Sequence, residues 1–203
     1  VLGLKTPPVY TRPSDDSGLN LALTQNPGLY LGATALAGGP TKALAFLAGV
    51  RLSYFRAGHF VRQIVATGTG LRAWLFAAIR AVQPTFPVGD ELMGPVNENL
   101  AAIKAHLPAA AMEQLASLVT KIIASDVSLD LKRWTLAVDL TADRAGFVLA
   151  NDLAVSLAVI KATPDDQSAV SQADRIRELR LYAVSEEYLR LRQRLGIAIG
   201  VAG

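Results

Sequence analysis

Apolar positions fall into two regimes along the chain. Up to about residue 36 they come in short, loosely alternating runs. Val9-Tyr10-Thr11-Arg12 lies between a proline pair and the turn-forming Pro13-Ser14-Asp15-Asp16-Ser17-Gly18. Leu19, Leu21 and Leu23 then occupy every second position, and Asn26-Pro27-Gly28 leads into Leu29-Tyr30-Leu31-Gly32. Period-two runs bounded by Pro, Gly, Asn and Asp read as strands, and two tight connections so close together predict a small antiparallel sheet. After Gly38-Gly39-Pro40 the spacing becomes that of helices. Thr41 is placed to cap a helix over residues 42–56, with Leu44, Leu47, Val50 or Arg51, and Tyr54 at helical spacing. Further helices are predicted over 71–82, stopped by Pro84, over 96–106, and over 108–124 with Pro108 suited to a first turn. Asp130 is placed to cap a long helix over 131–160, and a last helix runs over 168–195 to Gly196. The fold class that follows is α+β, mainly α: a small N-terminal sheet on a helical core, with an extra C-terminal helix. No internal repeat or low-complexity segment interrupts it.

Composition changes this picture in one respect. Hydrophobic residues make up 51% of the 203 and charged residues only 18%, with a mean hydropathy of +0.32. That is oilier than an ordinary soluble domain. No run reaches the roughly 20 apolar residues of a membrane span: residues 71–82 are broken by Arg72 and Arg80, and residues 145–160 by Asn151 and Asp152. Lys5-Thr6-Pro7-Pro8 breaks any apolar leader at the start. The excess apolar surface, the start at Val1 and the end just past Ile197-Ala198-Ile199 predict a segment of a larger chain that buries surface on a partner.

Charge excludes more than it suggests. Lys and Arg number 20 against 17 Asp and Glu. The densest basic stretch, Arg175 to Arg194, is interleaved with Asp174, Glu178, Glu186 and Glu187, as helical ion pairing requires. It lacks the single-sign footprint of a nucleic-acid binder. With no Cys, disulfides and thiolate metal sites are both excluded, and a cytoplasmic location is compatible. Neither G-x-S-x-G nor S-x-x-K occurs, nor a phosphate-cradling G-x-x-x-x-G-K-[ST]. Asp15-Asp16 and Asp165-Asp166 read as turn chemistry.

The order of the remaining motifs carries a resemblance. Leu2-Gly3-Leu4-Lys5-Thr6-Pro7-Pro8-Val9-Tyr10, then Gly18-Leu19-Asn20-Leu21-Ala22, then a strand and the turn Gly38-Gly39-Pro40, precede a helix containing Val50-Arg51-Leu52-Ser53-Tyr54. His59 follows five residues beyond Tyr54, and a later helix contains Asp139-Leu140-Thr141-Ala142-Asp143. Over residues 1–160 this order resembles the zinc metallopeptidase family of CAAX prenyl endopeptidases and heat-shock membrane proteases. In that family H-E-x-x-H stands where Val50 to Tyr54 stand here, and E-x-x-A-D where Asp139 to Asp143 stand. The resemblance implies a zincin-like domain over residues 1–163, with residues 164–203 a C-terminal helix packed on it.

At those positions the chemistry is erased. Two His at i and i+4 reach one zinc ion, but Val50 has no donor atom and the Tyr54 phenol ordinarily loses its proton only near pH 10. Arg51, at the general-base position, cannot be deprotonated. Asp139 alone remains as a ligand, and a catalytic zinc needs about three from the protein. No catalytic residue, metal or cofactor is therefore expected. Arg51 and Asp139 are instead expected to face each other as a buried ion pair in place of the metal. The plainer alternative turns Arg51 to solvent and pairs Asp139 with Lys132 or Arg144. His59 and His106, 47 positions apart, share no helical face, and Asp143 reads as a local cap or pair.

Three functions remain. The first is a catalytically inactive peptidase-like module that binds a protein or peptide, with Leu29, Tyr30 and Leu31 as an edge strand for strand addition. The second is a hydrolase with chemistry relocated to His59, Asp139 and Asp143. The third is peripheral membrane attachment through the last helix, against which its Glu content speaks.

Overall fold

A computed structural model describes residues 3–125, 130–164 and 168–197. The fold is mainly helical with a small sheet, as the periodicity predicts, and the chain divides into two compact units. The first comprises residues 1–64 and 135–203, the second residues 65–134.

The first unit opens with β1 (Val9–Arg12), β2 (Leu19–Ala22) and β3 (Gly28–Gly32). Their sheet is mixed rather than antiparallel throughout. β3 lies between the other two, antiparallel to β2 with Leu19 opposite Leu31, and parallel to β1 with Tyr10 opposite Tyr30. The turn between β1 and β2 explains the difference. Asp15 Oδ1 accepts from Ser17 N at 2.8 Å, while the Asp15 carbonyl accepts from Ala33 N and the Gly18 carbonyl from Gly32 N. The turn is thus bonded to the end of β3, and β1 and β2 are held one strand apart. Asp15 does the turn work expected of it; Asp165 and Asp166 lie outside the described residues.

Two short helices, α1 (Ala33–Leu36) and α3 (Val61–Ile64), flank α2 (Thr41–Ser53). Pro40, not Thr41, is the N-cap of α2, and no side chain caps it. The buried stripe is Phe46, Gly49, Val50 and Ser53 rather than one centred on Leu44 and Leu47. Gly49 accounts for the rotation. A Cβ there would stand 2.5 Å from the Ala145 carbonyl oxygen, and one on Gly146 would stand 2.8 Å from the Phe46 carbonyl oxygen. The backbones of α2 and α7 (Leu131–Ala150) therefore touch, and only two facing glycines allow that.

The predicted long helices are each broken once. α7 starts at its expected cap, with Asp130 Oδ1 accepting from Arg133 N at 2.9 Å. It stops at Asn151, whose φ of +48° is left-handed, and Asp152 then caps α8 (Leu153–Ala162). The C-terminal stretch is two helices, α9 (Gln172–Ala183) and α10 (Glu186–Arg194), each begun by a serine that accepts from the third residue on: Ser171 from Asp174 N, Ser185 from Tyr188 N. Short polar side chains offer the backbone this alternative to continuing a helix, so periodicity alone runs through such breaks.

The second unit is α4 (Gly68–Val82), α5 (Asp90–His106) and α6 (Ala109–Ala124). α5 begins six residues before the expected Val96, because Asp90 and Glu91 suit a first turn, and it runs through Pro95, which lies inside the helix. Its core is apolar: Ala73, Ala77, Leu92 and Val96, with Phe76, Val88, Leu100 and Ile103 packed against them. Among the described residues no helix is long and apolar enough to cross a membrane.

Candidate functional site

The Val50 to Tyr54 and Asp139 to Asp143 stretches do come together, inside the first unit. Asp139 and Asp143 lie at i and i+4 on one face of α7, 3% and 2% exposed. Two carboxylates so placed repel each other and demand counter-charges. Each receives an arginine. Arg175, near the start of α9, binds Asp143 side-on, with Nε donating to Oδ2 at 2.8 Å and Nη2 to Oδ1 at 2.7 Å. Arg62, on α3, donates from Nη2 to Asp139 Oδ2 at 3.1 Å. The same oxygen accepts from Ala169 N at 2.7 Å and Ser168 Oγ at 3.2 Å, and Asp139 Oδ1 accepts from the Tyr54 hydroxyl at 3.3 Å.

Four segments are thereby tied to one helix: α2 through Tyr54, α3 through Arg62, the segment before α9 through Ser168 and Ala169, and α9 through Arg175. Burial sets the proton affinities. It pushes the Tyr54 phenol well above its ordinary range, assisted by the negative charge of Asp139. It also raises the Asp143 carboxyl, against the pull of Arg175. For Arg175 the two bonds to Asp143 outweigh burial, so its affinity for its proton rises. Paired side-on bonds this short belong to an ionised carboxylate and guanidinium.

The expected Arg51–Asp139 pair is absent. Arg51 Nη2 donates instead to Asn20 Oδ1 on β2 at 3.0 Å, half-buried. Asp139 turns neither to Lys132 nor to Arg144; its partners come from α2, α3 and the segment before α9. Arg51 stands one residue past Val50 on the β2 side of α2, so the carboxylate is taken by the chain that follows α2. Sequence reasoning missed Arg62 and Arg175. The signal for them was the acid pair itself, at i and i+4 within a stretch otherwise rich in Ala, Val and Leu.

These residues do not fit zinc. Val50 offers no donor atom, the Tyr54 phenol is held protonated, and Asp139 already takes four hydrogen bonds. Among the described residues no group of three His, Asp or Glu side chains is placed to hold a metal ion. His59 lies in the turn after α2, its Nδ1 buried without a hydrogen-bond partner, and burial and Arg56 lower its proton affinity. It is bonded to neither Asp139 nor Asp143. His106 is the exposed last residue of α5 in the second unit.

A cavity of about 30 Å³ remains beside the cluster, lined by Phe46, Val50, Arg51, Tyr54, Asp143 and Arg175 among others. It has room for about two waters and not for a peptide side chain of any size.

Leu29, Tyr30 and Leu31 are not an edge. They form the central strand, with both edges of β3 already paired. Leu29 is buried, and Tyr30 donates to Asp15 Oδ2 at 2.9 Å beneath the Arg12 guanidinium, 4.7 Å from its ring centre. The edges belong to β1 and β2. All four residues of β1 are exposed, and its far side pairs with no strand among the described residues. An open groove of about 440 Å³ crosses this end of the sheet, walled by Tyr10, Arg12, Ala22, Thr24, Asn26 and Tyr30.

No family model, curated protein or solved structure matches the chain.

Proposed function

We propose that this chain is a catalytically inert, metallopeptidase-like module that binds a protein or peptide as part of a larger, cytoplasmic protein. One observation carries the reading. At the positions that the resemblance assigns to zinc and its support, the carboxylates are each engaged by a buried arginine, so the cross-link between helices needs no metal. Tyr54, Arg62 and Arg175 together do mechanically what the ion does in a zincin, joining the two site helices and their neighbours, but offer no Lewis acid and no activated water.

Binding falls to the sheet. β1 is bracketed by Pro8 and Pro13, which limits a visiting strand to the four residues between them. In a parallel ladder alternate residues point both backbone groups at the partner strand. The Pro8 carbonyl accepts from Leu29 N at 2.9 Å, so Val9 and Thr11 direct theirs outward. An extended peptide can pair there and lay alternate side chains into the groove of Tyr10 and Tyr30.

The test is the zinc content of the purified chain by elemental analysis, after incubation with zinc and removal of loosely held ion. Less than a tenth of an equivalent is expected. One equivalent retained, and lost in Asp139→Asn, overturns the reading and returns the hydrolase alternative.

A further inference from the structure

We infer that the cavity beside Arg51 is a binding site for one small monovalent anion, a halide or a carboxylate. Arg51 is the reason. Its described side-chain partner is a neutral amide, Asn20, through Nη2. Its Nε is buried with no hydrogen-bond partner. Asp139 and Asp143, the carboxylates lining the same cavity, are bonded to Arg62 and Arg175. With those two carboxylates offset by Arg62 and Arg175, Arg51 is left, among the described residues of the wall, as the guanidinium with no carboxylate partner, and burial above all lowers its proton affinity.

A half-buried guanidinium with an unsatisfied N–H is expensive unless a counter-charge reaches it. Water satisfies the N–H but leaves the charge. A chloride or the head of a carboxylate satisfies both, and a space of about 30 Å³ admits either. The apolar walls, Phe46, Leu47 and Val50, strengthen the attraction by keeping the local dielectric low. The polarity of the site is therefore the reverse of a zinc site: the position that the resemblance gives to a dication takes an anion here.

This inference names the ligand of the cavity described above and rests on that reading only in that the cavity holds no metal. The experiment is thermal unfolding of the full chain at constant ionic strength, with sodium gluconate exchanged stepwise for sodium chloride or sodium formate, in the presence of EDTA. The wild type is expected to gain a saturable rise of about 2–6 °C in Tm, and Arg51→Met none. A larger rise with formate than with chloride identifies a carboxylate, such as an acidic side chain of the partner, as the natural occupant. The opposite order identifies free halide. Equal midpoints in all three salts mean that water alone fills the cavity and overturn the inference, as does an equal response in Arg51→Met. Should that variant fail to fold, the line width of chloride NMR on the wild type decides: broadening reversed by formate supports the site, and its absence refutes it. Zinc retention, measured separately, bears on the inert-module reading and leaves the anion response unchanged.

Discussion

The two units bury different kinds of residue. Every buried polar or charged side chain among the described residues lies in the first: Ser53, Arg62, Thr135, Asp139, Asp143, Ser156 and Arg175. The second buries Leu71, Ala73, Ala77, Ile79, Leu92, Val96 and Val119, with no charge among them. Apolar packing is non-directional and tolerates repacking, so three amphipathic helices suffice to form the second unit. Buried ion pairs are directional, and they lose heavily if one partner is missing. The first unit has therefore accepted a constraint that stability alone does not require. Carboxylate and arginine fix which segments meet α7 and in what register, and the candidate site lies where that constraint is tightest.

The contrast can be broken at the Asp143–Arg175 pair. Asp143→Ala leaves a buried guanidinium without its partner and is expected to lower stability by about 3–5 kcal/mol in denaturant unfolding. The double change Asp143→Leu with Arg175→Met should recover most of that loss, since a well-packed apolar pair often equals a buried ionic one. If the double variant is as unstable as the single, the cluster contributes more than charge compensation. Leu92→Ala probes the second unit, where only lost volume counts, and a loss of about 3 kcal/mol is expected by the same method. Gly49→Ala tests the backbone crossing of α2 on α7. A methyl group 2.5 Å from the Ala145 carbonyl oxygen should cost about 2–3 kcal/mol as the helices part.

The smallest effect is one of pH. Folded Tyr54 keeps its proton above the ordinary value of 10.0, at which the unfolded chain gives it up. Its contribution is therefore complete below pH 10 and is lost as pH rises from there. Each unit of pH should remove about 1.4 kcal/mol for this one group. Comparing unfolding midpoints at pH 9.5, 10.5 and 11.5, Tyr54→Phe should show a shallower decline than the wild type by about that slope. Parallel declines would mean that the Tyr54 hydroxyl is solvated and the cluster is open to water.

Much of the secondary structure was legible because it rests on local signals. Alternating Leu19 and Leu21, the Pro and Gly brackets of β1 and β3, and the Asp130 cap placed their elements within a few residues. The two long helices were misjudged as continuous because apolar spacing persists through Asn151 and Val184, while the breaks depend on one left-handed residue and two side-chain caps. The site was half legible. The order of motifs, through the family resemblance, brought out the α2 and α7 positions; the acid pair at 139 and 143 was a signal for counter-charges, but nothing local says which arginine answers it.

The sequence by itself determined the mainly helical class, the small sheet and the placing of Asp139 and Asp143 one helical turn apart. These follow from residue type and from spacing within a single element. Tertiary structure alone decided that β3 is central rather than an edge, that Arg62 and Arg175 take the carboxylates, and that Arg51 is left to face a small cavity. Each joins segments separated by many residues, as Arg62 and Asp139 are by 77. A guanidinium on a flexible side chain is chemically suited to many carboxylates, and only the placement of α3 and α9 beside α7 determines which one it reaches.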